Sequence, residues 1–185
     1  MTWAPILCLL LAQAPPSAEM QALQSVREAE LRGDPAAAVE IGKQALVANP
    51  KSVELLKTVG RLLLSDPRRS AQARDPLTKA VALAPGDGEA HYYLSRWACL
   101  HNMDAQCITE ARQSLRLAPG NLQAELQLNT LIGLASEKTG DAAGADAAFR
   151  RSLAANQKLG LPDPLSVYQY VSFLLKRAKD EEAQT

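Results

Sequence analysis

His91, Cys99, His101 and Cys107 fall within one short stretch, HYYLSRWACLHNMDAQC, and imidazole with thiolate is the combination that binds zinc. Their spacing follows none of the patterns that close a tetrahedral site, so no metal is expected. The chain has no Ser–His–Asp order, no glycine-rich phosphate loop and no HExxH pair. Carboxylates such as Glu28, Glu30 and Glu110 stand among Lys and Arg on helical stretches, the pattern of a solvated face. No catalytic residue and no cofactor is expected. His91 is read as packed and His101, in a turn, as solvated. What remains is the thiol pair. Cys99 closes one helical segment and Cys107 lies inside the next, so the turn between them can bring the sulfurs together as a disulfide. In the alternative reading, Cys107 only fills a small-residue slot in helix packing.

The third cysteine, Cys8, belongs to a different kind of sequence. The first 18 residues, MTWAPILCLLLAQAPPSA, carry no charged side chain. The apolar run from Trp3 to Ala14 is too short to span a bilayer and fits the core of a signal peptide. Ala12-Gln13-Ala14 matches the small-x-small cleavage pattern, although no Lys or Arg precedes the core and Pro15 follows the cut. Residues 1–18 are therefore expected to direct export, to a periplasm or out of the cell, with a cytoplasmic chain as the alternative.

The elements that must position everything else are helical. The 185 residues carry 20 basic and 20 acidic side chains and no net charge, which argues against a nucleic-acid partner and a polybasic membrane surface. Aromatics make up only 4%, whereas Ala and Leu, good helix formers, are abundant. Proline recurs at a fixed interval: Pro85 and Pro119, each in LAPG, are 34 residues apart, and Pro50 in VANP lies 35 residues before Pro85. The segments 33–50, 101–119 and 140–157 share one layout. Small residues come first (Ala38, Cys107, Ala145), then Gly42, Ala111 and Phe149. Ala45, Ser114 and Ser152 follow, each with a leucine after it (Leu46, Leu115, Leu153). Steps of four and three put these on one helical stripe. Segment 69–85 conforms through Ala73, Leu77, Ala80, Val81 and Pro85, and Pro76 should kink or delay its helix. Amphipathic segments at about 20–32, 53–64, 88–100 and 122–138 precede the stripes, separated from them by short turns.

This helix–turn–helix layout and its period resemble the tetratricopeptide repeat (TPR) family. The resemblance rests on Leu94-Ser95, on Gly60 and Gly133 at the small position of a first helix, and on the Ala, Leu and Pro marks above. Departures are His91, Leu56 and Asn129 where an aromatic usually opens the first helix, and an extra helical turn in the fourth unit. The resemblance implies an all-α, right-handed α-solenoid of antiparallel helix pairs over residues 19–185. Its units are about 19–52, 53–87, 88–121 and 122–161, with a partial fifth at 162–185.

It also implies a non-enzymatic scaffold that binds a peptide or protein segment in a concave groove. The groove positions implied here are Lys57, Arg61, Tyr92, Arg96, Thr130 and Glu137, and Trp97 is read as core. The alternative is an accessory segment of a larger enzyme or secretion machine. Residues 164–178 read as one more first helix, after which KDEEAQT is expected to open a second. Val167, Tyr168, Tyr170, Val171, Phe173, Leu174 and Leu175 surround nearly all of that last helix. Terminal repeats need a polar outer face. The expectation is therefore that more chain follows, or that this helix supports self-association. No stable membrane span is expected.

Overall fold

A computed structural model describes residues 17–160 and 163–182. Among these residues there are nine α-helices and no strand: α1 (Ala18–Leu31), α2 (Pro35–Ala48), α3 (Val53–Leu64), α4 (Arg74–Leu83), α5 (Gly88–Leu100), α6 (Asp104–Leu117), α7 (Leu122–Lys138), α8 (Ala142–Leu159) and α9 (Pro164–Glu182). The segment expected to act as a signal peptide lies almost wholly outside the described residues. Ser17 is described and caps α1, accepting from the Met20 N–H at 3.2 Å.

The recurring prolines act through the residue before them. Proline excludes its predecessor from helical geometry. Asn49, Ala84 and Ala118 accordingly end α2, α4 and α6 with φ of −128°, −135° and −127°. The next helix is then started by a polar cap: Ser52, Asp87 and Asn121 accept from the N–H groups of Leu55, Ala90 and Ala124. Inside three of the hairpins the turn needs one left-handed residue, supplied by Gly33 (φ 75°), Asn102 (φ 56°) and Gly140 (φ 80°). Pro76 delays its helix rather than kinking it. A 3-10 turn, Ser70–Ala73, comes first, and α4 then starts at Arg74. Pro76 thus falls in the first turn, where no N–H is needed.

Each pair packs as an antiparallel hairpin and leans on the next. Among the first helices, α3 touches α5, α5 touches α7 and α7 touches α9, whereas α2, α4, α6 and α8 form no comparable row among the described residues. The stack therefore curves, with the first helices on the inside. Close approach depends on residues without bulk. A Cβ on Gly60 would stand 2.4 Å from Leu77, one on Gly133 2.7 Å from the Phe149 ring, and one on Gly42 2.6 Å from Val59. Ser95 holds the equivalent place in α5 and is wholly buried. Ala38, Cys107 and Ala145 are likewise wholly buried.

Two local expectations are corrected. His101 is only partly exposed: its ring lies against Trp97 with centroids 5.0 Å apart, and its Nε2 is buried. KDEE opens no second helix. With no turn residue or proline between Ala178 and Glu182, α9 runs on to Glu182. His91 is packed, with Nδ1 2.6 Å from Glu110 Oε2 and Nε2 3.0 Å from Pro85 O, tying α5 to α6 and to the turn before it. α9 docks through Phe173 and Tyr170 against Phe149, and the Tyr170 hydroxyl donates to Asp146 at 2.8 Å. Its other side leaves Tyr168 and Leu175 at least 60% exposed.

Two alanine substitutions separate packing from chain entropy. Gly60→Ala forces a methyl against Cγ and both Cδ atoms of a buried leucine, and stability should fall by about 1–3 kcal/mol despite the better helix propensity of alanine. Gly86→Ala, where nothing lies within 4 Å and φ is not positive, should leave stability unchanged or raise it by up to about 1 kcal/mol. Urea unfolding of the two variants measures both.

Candidate partner-binding groove

The inner curve is lined by the first helices, and their exposed or half-buried positions recur every three or four residues. On α5 these are Tyr92 and Arg96. On α7 they are Gln127, Leu131, Leu134 and Lys138. On α9 they are Leu165 and Gln169. Two concavities lie side by side here. One, about 330 Å³, is bounded by Tyr92, Arg96, Leu131, Leu134, Leu165 and Gln169. The other, about 380 Å³, is bounded by Leu64, Arg96, Leu100, Leu131, Leu134 and Lys138. Arg96 and the two leucines of α7 belong to both.

The six expected groove residues divide into two sets. Tyr92, Arg96 and Thr130 come together around the first concavity. The Arg96 guanidinium is exposed and lies over the Tyr92 ring, 5.7 Å from its centroid. The Tyr92 hydroxyl donates to Gln127. The Thr130 hydroxyl is engaged internally, with Leu126 O at 2.9 Å and Ser152 Oγ at 2.7 Å.

Lys57, Arg61 and Glu137 make bridges between units. Lys57 corrects the expectation outright, because its side chain is 6% exposed and its ammonium is surrounded by Glu54 (2.7 Å), Glu89 (2.8 Å) and Asp87 (2.9 Å). An ammonium has three protons, and three carboxylates occupy them. Arg61 forms a two-pronged pair with Glu30 at 2.9 and 2.8 Å, joining α3 to α1. Glu137 accepts from Lys176 at 2.8 Å, joining α7 to α9.

The bridges shift the protonation of their members. Burial disfavours the Lys57 ammonium, but the hydrogen bonds to its three carboxylates outweigh it and hold its pKa above the ordinary lysine value. Burial also disfavours the Asp87 carboxylate. The bonds from Lys57 and from the Ala90 and Glu89 N–H groups prevail, and its pKa stays below the usual carboxylate range. Burial, followed by the Glu89 charge, pushes the Tyr93 phenol up to about 12. Leu131, Leu134, Leu165, Gln127 and Gln169 had no place among the expected groove residues. The spacing of four, three and four along Gln127, Leu131, Leu134 and Lys138 is the signal that marks the α7 part.

Behind the groove, Cys99 and Cys107 are joined as a disulfide across the α5–α6 turn, with Cα atoms 5.0 Å apart. Cys99 borders the second concavity, and Cys107 also fills the small-residue slot. Among the described residues, no group of three His, Cys, Asp or Glu is arranged to hold a metal, and no helix is long and apolar enough to cross a membrane.

The architecture is that of the tetratricopeptide repeat. A structure of the MamA protein matches with a TM-score of 0.65 at 20% identity, covering 91% of this chain and 96% of that one. A structure of pilF from Pseudomonas aeruginosa matches with a TM-score of 0.71 at 15% identity, covering 88% and 70%. A thermophilic TPR protein of Thermus thermophilus matches with a TM-score of 0.63 at 19% identity, covering 89% and 86%. At these identities the likeness is one of fold. No protein-family model matches the sequence, and comparison with curated proteins finds no match.

Asp87→Asn keeps an N-cap but removes the charge facing Lys57. It should lower stability by about 1–2 kcal/mol at neutral pH. The folded-state pKa of Asp87 is depressed, so its contribution is complete above the unfolded carboxylate value of about 3.9 and is lost as pH falls through the lower folded value. Urea unfolding over a pH series should show the gap between the two proteins closing below about pH 4.

Proposed function

We propose that this chain is a non-enzymatic scaffold that holds a peptide or protein segment in the concave groove formed by α5, α7 and α9. The supporting observation is the meeting of an exposed Arg96–Tyr92 pair with the half-buried Leu131 and Leu134 around two adjoining concavities. Tyr and Arg dominate binding hot spots because each offers a large apolar surface and a polar tip. The first helices of a stacked array supply such a surface without any change to the packing between units.

The partner is a protein segment rather than a nucleic acid, in keeping with the absence of net charge. Export to an oxidising compartment belongs to the same reading. Its supports are the apolar N-terminal sequence and the Cys99–Cys107 bond, of a kind that is common in oxidising compartments and rare in a reducing cytosol.

Affinity capture from the source cell with the native protein and with a Tyr92→Ala/Arg96→Ala double variant tests the groove. Partners bound there should drop by about tenfold or more from the variant, whose circular dichroism should be unchanged. An identical set of partners from both proteins would discredit the groove. Mass spectrometry of the mature N-terminus tests export: a chain that keeps Met1 or Thr2 as its first residue counts against it.

A further inference from the structure

The cations near the groove differ in one respect. Lys57, Arg61, Lys138 and Lys176 each have an in-chain acid: the Glu54, Asp87 and Glu89 set, Glu30, Asp104 and Glu137 respectively. Arg96 has none among the described residues. It stands exposed over the Tyr92 ring, at the boundary of the two concavities.

The other charges around those concavities are already compensated. Asp104 faces Lys138 at 3.8 Å, and Lys138 also donates to Asn102 at 2.8 Å. Asp163 accepts the Ser166 N–H at 2.9 Å at the start of α9, where a negative charge suits the helix end. One guanidinium is therefore left with unmet charge at the centre of the groove, and both concavities that it borders are also lined by the apolar Leu131 and Leu134 of α7.

Resting on the groove reading above, we propose that the occupant is an extended peptide segment in which one acidic side chain is flanked by apolar ones. The carboxylate docks on the Arg96 fork, and the flanking side chains enter the two concavities. A carboxylate fits a guanidinium through two parallel hydrogen bonds. Tyr92 holds the guanidinium plane from below, so less rotamer freedom is lost when the partner binds. Leu165 and Leu134 receive one apolar neighbour; Leu64 and Leu100 receive the other. Gln169, half-buried beside the first concavity, presents an amide that can both donate to and accept from a peptide backbone. A lysine at the central position of the segment would instead meet like charge, so the groove selects by repulsion as well as by fit.

Fluorescence anisotropy with the whole chain tests this. The probes are labelled synthetic peptides with a Leu-Leu-X-Leu-Leu core, in which X is Asp, Asn or Lys. The Asp peptide should bind about tenfold or more tighter than the Asn peptide, and the preference should shrink as salt is raised. Arg96→Ala should level the three affinities, and Arg96→Glu should reverse the order in favour of Lys. The side chain is exposed, so both variants should keep the native circular dichroism.

Equal binding of all three peptides by the native chain overturns the carboxylate anchor and leaves the groove reading standing. The same holds if Arg96→Glu still prefers Asp. Absence of binding by every peptide, and by a randomised apolar-core pool, overturns both.

Discussion

Close contact between neighbouring helices is the constraint on which the rest of this molecule depends. Among the described residues no single core takes in every helix. One continuous cluster runs from Val26 and Val39 through Leu77 and Trp97 to Ala135 on α7, and smaller ones follow it, the last around Phe149 and Phe173. Neighbouring helices come this close because a glycine on one admits a large side chain from the next: Gly42 admits Val59, Gly60 admits Leu77, and Gly133 admits Phe149. Stability then accumulates as a sum over neighbours. The curve of the stack is a by-product of the same contacts, since α3, α5, α7 and α9 touch in sequence and the second helices form no comparable row among the described residues. The groove is thus a consequence of where the small residues lie.

Much of this was legible in the amino-acid order. Proline recurs because it forces the residue before it out of the helix, and the near-identical backbone angles of Asn49, Ala84 and Ala118 are the physical form of that repeat. The small stripe through Ala38, Cys107 and Ala145 marks the faces that meet. The run after Ala178 was less legible, because Lys, Asp and Glu favour a helix without saying whether they continue one or begin another. His101 shows a different limit. A turn position suggests solvent, but the ring folds onto Trp97, a contact set by the path of the turn in space.

The groove residues were legible by type and position and not by engagement. Lys57 and Arg96 occupy equally plausible places on successive first helices. What separates them is the partner each meets across a unit boundary. Lys57 Nζ reaches Glu89, 32 residues away in sequence, because the N-terminus of α5 arrives beside α3. Such a bridge depends on the superhelical offset between units, a quantity that periodicity along one helix does not contain. Leu131 and Leu134 were missed for the complementary reason. Leucine on a helix reads as core by default, and only the curvature of the stack leaves these two lining an open surface.

The division of charge along the array has a mechanical meaning. From α1 to α5 the inner face is bridged: Glu30 to Arg61, then Lys57 to Asp87 and Glu89. Those pairs fix the angle between the first three units, because a partly buried pair tolerates little separation before both charges lose their partners. From α5 to α9 the first helices are crossed by the Glu137–Lys176 pair near the far end of α7, and the space between is lined by leucine, tyrosine and one exposed arginine. The Cys99–Cys107 bond closes the hairpin at the junction of these two regions. An ion-paired first half and a leucine-lined second half, joined at a cross-linked third hairpin, is the arrangement that the proposed uptake of a segment between α5 and α9 requires, because the frame that positions Arg96 is held by contacts outside the groove.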